Sequence, residues 1–212
     1  MNRNLPFFSN FILLTALLLL TSCAAVESEQ KFADTSSVRT ITVFPVQTVD
    51  LAHHFRDTAQ QRLEAGADTL ASLLEEYLTG IQSGIAFQII SNEQMESLLG
   101  EQRGDLFSQA RFVASQLNSD AALLITLERF REREGSEYSV DIPASVSFEY
   151  KLIKSDSPHV LCSGVFEETQ VPLSDNLFTL KKAKGRGFKW ITAEDLAREG
   201  IKTKFGACPY LK

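Results

Sequence analysis

Near the C-terminal end, the segment KKAKGRGFKW carries five cations, Lys181, Lys182, Lys184, Arg186 and Lys189, with no acid among them. Phe188 and Trp190 add apolar rings, and arginine and tryptophan are favoured at the centres of binding surfaces. In a 212-residue chain of formal net charge −6 this is a local reversal of sign. The chemistry available to it is recognition of an acidic protein face, an anionic glycan or a lipid headgroup. A headgroup surface contributes about 1 kcal/mol per nearby basic residue. Gly185 and Gly187 lack the spacing and the Lys-Ser/Thr of a phosphate loop. The same residues also read as a solvated linker with Trp190 docked in the core.

No constellation for catalysis stands beside this segment. His53 and His54 are adjacent, so they point apart on a helix or strand; with Glu64 and Asp68 they make no tetrahedral set. His159 follows a turn and reads as a polar turn residue. Glu75-Glu76 and Glu167-Glu168 are adjacent pairs that regular structure splays. No Gly-x-Ser-x-Gly or Ser-x-x-Lys set occurs. The expectation is therefore a protein without catalytic residues, metal, cofactor or an evident small-molecule substrate. An acidic chain without a basic stripe also argues against nucleic acid.

The remaining reactive side chains are three cysteines. Cys23 ends the stretch LLLLTSCAA. Arg3 precedes an apolar run from Phe11 to Leu20, which as helix spans about 15 Å, half a bilayer core. Basic start, short apolar middle and small residues at the end read as a secretory signal. Leu20-Thr21-Ser22-Cys23 resembles the lipobox of bacterial lipoproteins. That resemblance implies cleavage before Cys23, a diacylglycerol on its sulfur and acylation of its new amino group; two or more chains anchor stably. Ala24 rather than Asp after the cysteine implies transport to the outer membrane. Loss of residues 1–22 would remove Arg3 and leave the chain one charge more acidic. The implied compartment is oxidising, so Cys162 and Cys208 are candidates for a disulfide, or else two small buried hydrophobes.

The elements that must position these residues follow from pattern. Residues 23–37 read as a flexible tether and 38–212 as one domain. VRTITVFPV, from Val38 to Val46, is β-branched and reads as a strand. From Leu63 to Ile81 apolar residues recur at gaps of three and four, one helical stripe. AFQIIS is a short strand. Ser91 with Gln94 forms a capping box for a helix closed by Gly100, and Asp105 caps another ending at Asn118. DAALLITLERF is a strand covered on both faces. The sign-alternating run ERFRERE, Glu128 to Glu134, reads as its solvated end. Val140 to Leu152 alternates as a half-buried strand, with Pro143 marking an edge or bulge. SDSP, Ser155 to Pro158, is a turn, so Tyr138 to Gln170 is a long hairpin. Weaker helical stretches run over 174–183 and 192–204. The expected fold is α/β of α+β-like character, a mixed sheet with helices on it, in the order β-α-β-α-α-β-β-β-α.

ITVFPV, FQII before a capped helix, and QLNSDAALLITLERF resemble the fold group of the penicillin-binding-protein activator lipoprotein, the curli secretion channel lipoprotein and the N-terminal domain of the Tol-Pal periplasmic protein. The resemblance runs over about 38–170, with Asp120 as its recurring acid, a turn or strand-entry residue. It implies a non-enzymatic lipoprotein, membrane-bound through its anchor, that binds an envelope or periplasmic protein, its own copies included. A secretion-channel subunit is the alternative, though no insertions for membrane hairpins are seen; an enzyme acting on wall glycan is a third reading.

Overall fold

The computed structural model describes residues 38–49, 56–171 and 180–212. The signal, Cys23, the tether and the His53-His54 pair lie outside them. A central sheet runs in the order β3-β1-β4-β7-β8. Its strands are β1 (Thr40–Val43), β3 (Ala86–Ile89), β4 (Ala121–Arg131), β7 (Ser145–Lys154) and β8 (Val160–Thr169); β2 (Gln47–Thr48) also pairs with β4. β1 lies parallel to β3 and to β4, whereas β4, β7 and β8 are antiparallel neighbours. A helix between β1 and β3 permits only the parallel crossover, and the short Ser155–Pro158 turn permits only the antiparallel hairpin.

One face of the sheet carries α1 (Arg56–Gly80) and α5 (Ala193–Phe205), the other α2 (Asn92–Leu99) and α3 (Leu106–Gln116). The α1 stripe Leu63, Ala67, Leu70, Leu74 and Leu78 is buried against Ile41, Leu123, Ile125 and Phe148. Ala110, Val113 and Ala114 of α3 close on Ala122, Leu124 and Ile153. β4 thus sends alternate residues into two cores, which explains its continuous apolar run. Phe205 is fully buried, edge-on to Tyr150 with centroids 4.7 Å apart and to Tyr77 at 5.7 Å.

Local chemistry fixes the ends. Ser91 Oγ accepts from the Gln94 N–H at 3.2 Å while Gln94 Oε1 accepts from the Ser91 N–H at 2.9 Å. Asp105 and Thr192 cap α3 and α5, their side chains accepting from the Ser108 N–H and the Asp195 N–H, each at 3.1 Å. Asp120 joins β1 to β4: one carboxylate oxygen accepts from the Arg39 N–H at 2.8 Å, the Thr40 N–H at 3.0 Å and the Thr40 hydroxyl at 3.1 Å. Burial would raise the Asp120 pKa, yet these backbone and hydroxyl donors hold it below its ordinary value.

Two features depart from the sequence pattern. The alternation from Val140 to Leu152 is not one strand. It breaks at Pro143, and β6 (Val140–Ile142) leaves the main sheet to pair with β5 (Glu134–Gly135). Proline cannot donate to a ladder, so the break falls there. β7 is moreover an inner strand, buried along most of its length rather than half-buried. The second feature is a bulge in β4. Leu127 pairs with Phe148 but Arg129 with Ser147, so Glu128 is the extra residue. After it the alternation inverts, and Phe130 comes to lie on the α1 side against Gly66.

Candidate functional site

The basic segment begins in α4 (Leu180–Gly185), a short helix; of the stretch expected over 174–183, residues 174–179 lie outside the described residues. Gly187 and Phe188 follow with φ of 66° and 58°, and the Phe188 N–H donates back to Ala183 O at 2.7 Å. This left-handed pair turns the chain away from the helix. Trp190 is half-buried, and its backbone N–H donates to Glu137 O at 2.8 Å, in the turn between β5 and β6.

Three of the five cations find carboxylates within the fold. Arg186, its side chain only 9% exposed, donates from Nη2 to Glu168 Oε1 at 2.8 Å and to Glu199 Oε2 at 2.5 Å, and from Nε to Glu199 Oε1 at 3.1 Å. Lys182 meets Glu168 Oε2 at 2.5 Å. Burial would raise the Glu168 pKa, but hydrogen bonds from Lys182 and Arg186 and their charges hold it below its ordinary value. Burial likewise works against the charged Arg186, and Glu199 and Glu168 outweigh it. The segment is thereby fastened to β8 and α5. Glu167, next in sequence, projects to the opposite face and meets Arg129 at 3.2 Å.

The third pair sets a surface. Lys189 Nζ contacts Glu137 Oε2 at 2.9 Å and lies 5.4 Å from the centroid of the Tyr138 ring. Tyr138 is 70% exposed and Phe188 58%. The fold therefore brings Tyr138 alongside the Phe188–Trp190 segment and leaves both rings in water. Lys181 and Lys184 are exposed and in no ion pair among the described residues. The arrangement can bind: aromatic surface held in place by a cation, flanked by two unpaired lysines. It offers no nucleophile–base pair.

Tyr138 was not legible as a site residue, because its neighbour Lys189 is far away in sequence. The acids that neutralise Arg186 and Lys182 lie at similar remove. Cys162 on β8 and Cys208, just beyond α5, are joined as a disulfide with Cα atoms 5.9 Å apart. His159 is exposed, and its carbonyl accepts from the Lys154 N–H at 2.9 Å. Among the described residues no group of three His, Cys, Asp or Glu could hold a metal ion, and no helix is long and apolar enough to cross a membrane.

No family model matches the chain, and no curated protein does. Among solved structures it is similar to the PelC dodecamer from Paraburkholderia phytofirmans, 14% identical over 82% of this chain and 89% of that one, with TM-score 0.46. The LpoB C-terminal domain from Salmonella enterica is 15% identical over 65% of this chain and 88% of its own, with TM-score 0.37. Lipoprotein GNA1162 from Neisseria meningitidis is 16% identical over 70% and 95% respectively, with TM-score 0.38. The likeness is one of fold.

Proposed function

We propose that this chain is a lipoprotein of the bacterial outer membrane, cleaved after residue 22, anchored through Cys23 and tethered by residues 23–37. In this reading the domain from residue 38 faces the periplasm, catalyses no reaction and docks on an acidic face of a partner protein in envelope biogenesis. The observation that carries the docking function is the pair of exposed rings, Tyr138 and Phe188, set beside Lys189. Large rings exposed on a fixed scaffold cost water contact and lose little entropy on binding, the character of an interface anchor. Lys181 and Lys184 supply the sign of the partner.

The test is cross-linking of the full lipidated chain in its host, with mass spectrometric identification of what is captured. Tyr138→Ala with Phe188→Ala should reduce capture at least tenfold while leaving the circular dichroism unchanged. Recovery of a partner-free monomer, or capture indifferent to the double substitution, would sink the reading. Capture of this chain's own copies alone would replace it with a homo-oligomer. Cys23→Ser should release the chain from the membrane fraction.

A further inference from the structure

A separate groove of about 670 Å³ lies where α1 passes the end of β4. Its α1 wall is made of small residues, Ala59, Ala65, Gly66 and Thr69, next to the helix's buried stripe. Their size is what leaves the space. Phe130 and Ile142 supply apolar surface. Three arginines line the same volume: Arg62 from α1, and Arg131 and Arg133 from the end of β4 and the residues after it.

These arginines differ from the others nearby. Arg129, Arg186 and Arg198 all stand in ion pairs. Among the described residues Arg62 and Arg131 each donate only Nε to a backbone carbonyl, of Thr58 at 3.1 Å and of Pro143 at 3.4 Å. Arg133 has a buried Nη1 with no hydrogen-bond partner. A buried donor left unmade is costly, and such groups ordinarily have a partner. Two acids also line the groove. Glu132 is committed elsewhere: one carboxylate oxygen accepts from the Ala193 N–H at 3.0 Å and the other from the Arg133 N–H at 2.9 Å. Glu134 is exposed at the rim. Glu137 feels the charge of Arg133, but its ion pair is with Lys189.

We infer that this groove binds a phosphoryl group carried on an organic body. A carboxylate is a single charge that one bidentate arginine satisfies; three arginines on one groove match the dianionic charge and the several acceptor oxygens of a phosphate monoester. The volume is several times that of one phosphate and falls in the range of small-molecule pockets, and Phe130 and Ile142 offer the remainder an apolar wall. The source is either a free phosphate ester or a lipid headgroup. This inference uses a different surface from the docking patch and does not depend on it.

The experiment follows hydrogen exchange of residues 128–134 in the full chain. In neutral detergent, glycerol 3-phosphate is titrated; in a second arm the chain sits in nanodiscs of phosphatidylcholine with or without phosphatidic acid, whose headgroup is a phosphate monoester. Saturable protection by glycerol 3-phosphate that weakens at least tenfold in Arg62→Gln/Arg131→Gln/Arg133→Gln supports a free ester. Protection only in phosphatidic acid discs, lost in the same variant, supports a headgroup. Arg133→Lys keeps the charge but not the planar fork and should weaken binding several-fold, so the test survives misfolding of the triple variant. Arg103→Gln/Lys202→Gln/Lys212→Gln removes equal charge elsewhere and should leave protection intact. No protection in either arm, or equal loss in the charge-matched control, overturns the inference.

Discussion

Glu168 shows how one carboxylate can govern a surface it does not itself form. It holds Lys182 and Arg186, and through Arg186 reaches Glu199, so the residues leading to Phe188 and Trp190 are fastened through it. Its folded pKa lies below the unfolded value, which is about 4.3. The stabilisation it provides is therefore complete above that value and lost as pH falls through the depressed folded one. Trp190 is the sole tryptophan and so reports locally. Its fluorescence should hold steady from neutral pH down to about pH 4.3 and change below it, ahead of global unfolding. In Glu168→Gln the step should vanish and the neutral-pH spectrum should already be that of the loosened segment. An acid transition identical in wild type and variant would remove Glu168 from this role. None of this was legible beforehand, because the run of cations is visible in sequence and its counter-charges, on β8 and α5, are not.

Elements were more legible, and the reasons are local. Caps such as Ser91 with Gln94, Asp105, and Thr192 with Asp195 act within four residues and could be read directly. The α1 stripe followed from periodicity and the doubly covered β4 from its continuous apolar run. The failure came at Val140 to Leu152, where alternation continues through a proline that ends the ladder; period alone cannot tell one strand from two in phase. The ERFRERE segment read as a solvated end, yet it lines a groove, because Arg62 arrives from a helix far away in the chain. The packing of α1 on β4 yields a further expectation. A Cβ at Gly66 would stand 2.5 Å from Phe130 Cβ and 2.6 Å from its Cγ. Gly66→Ala should therefore destabilise the domain by about 1–3 kcal/mol, against the usual gain of alanine in a helix. Urea unfolding would show it, and a stabilised variant would mean that Phe130 has room to move aside.

For the molecule as a whole, β8 is a ten-residue edge, and the fold secures it from one side. Phe166 packs so closely on α5 that a Cβ at Gly200 would stand 2.7 Å from its ring. The Cys162–Cys208 disulfide closes a loop of 46 residues across the same junction. Such a loop restricts the unfolded chain by about 3–4 kcal/mol. Cys162→Ala/Cys208→Ala should lower unfolding free energy by that order, and iodoacetamide should label neither cysteine in the unreduced wild type. Exposed Val160 and Val165 would invite pairing along this edge, which the exposed carboxylate of Glu167 opposes by charge.

The bulge at Glu128 makes β4 a counter of odd and even. Before it, odd positions face α1; after it, even positions do. A substitution at 128 leaves that count alone, and Glu128→Ala removes only the carboxylate that accepts from Ser147 Oγ at 2.9 Å. A deletion of the same residue takes out the bulge and leaves the pairing regular: Leu127 keeps Phe148, Arg129 keeps Ser147 and Phe130 keeps Val146, so Phe130 stays on the α1 side against Gly66. Glu128→Ala and the chain lacking Glu128 should therefore both fold, which a soluble-expression assay reads directly; failure of the deletion alone would mean that the local bend of the bulge is required. At this point in the chain the strand can lose a residue and keep its frame, and no survey of point substitutions would reveal it.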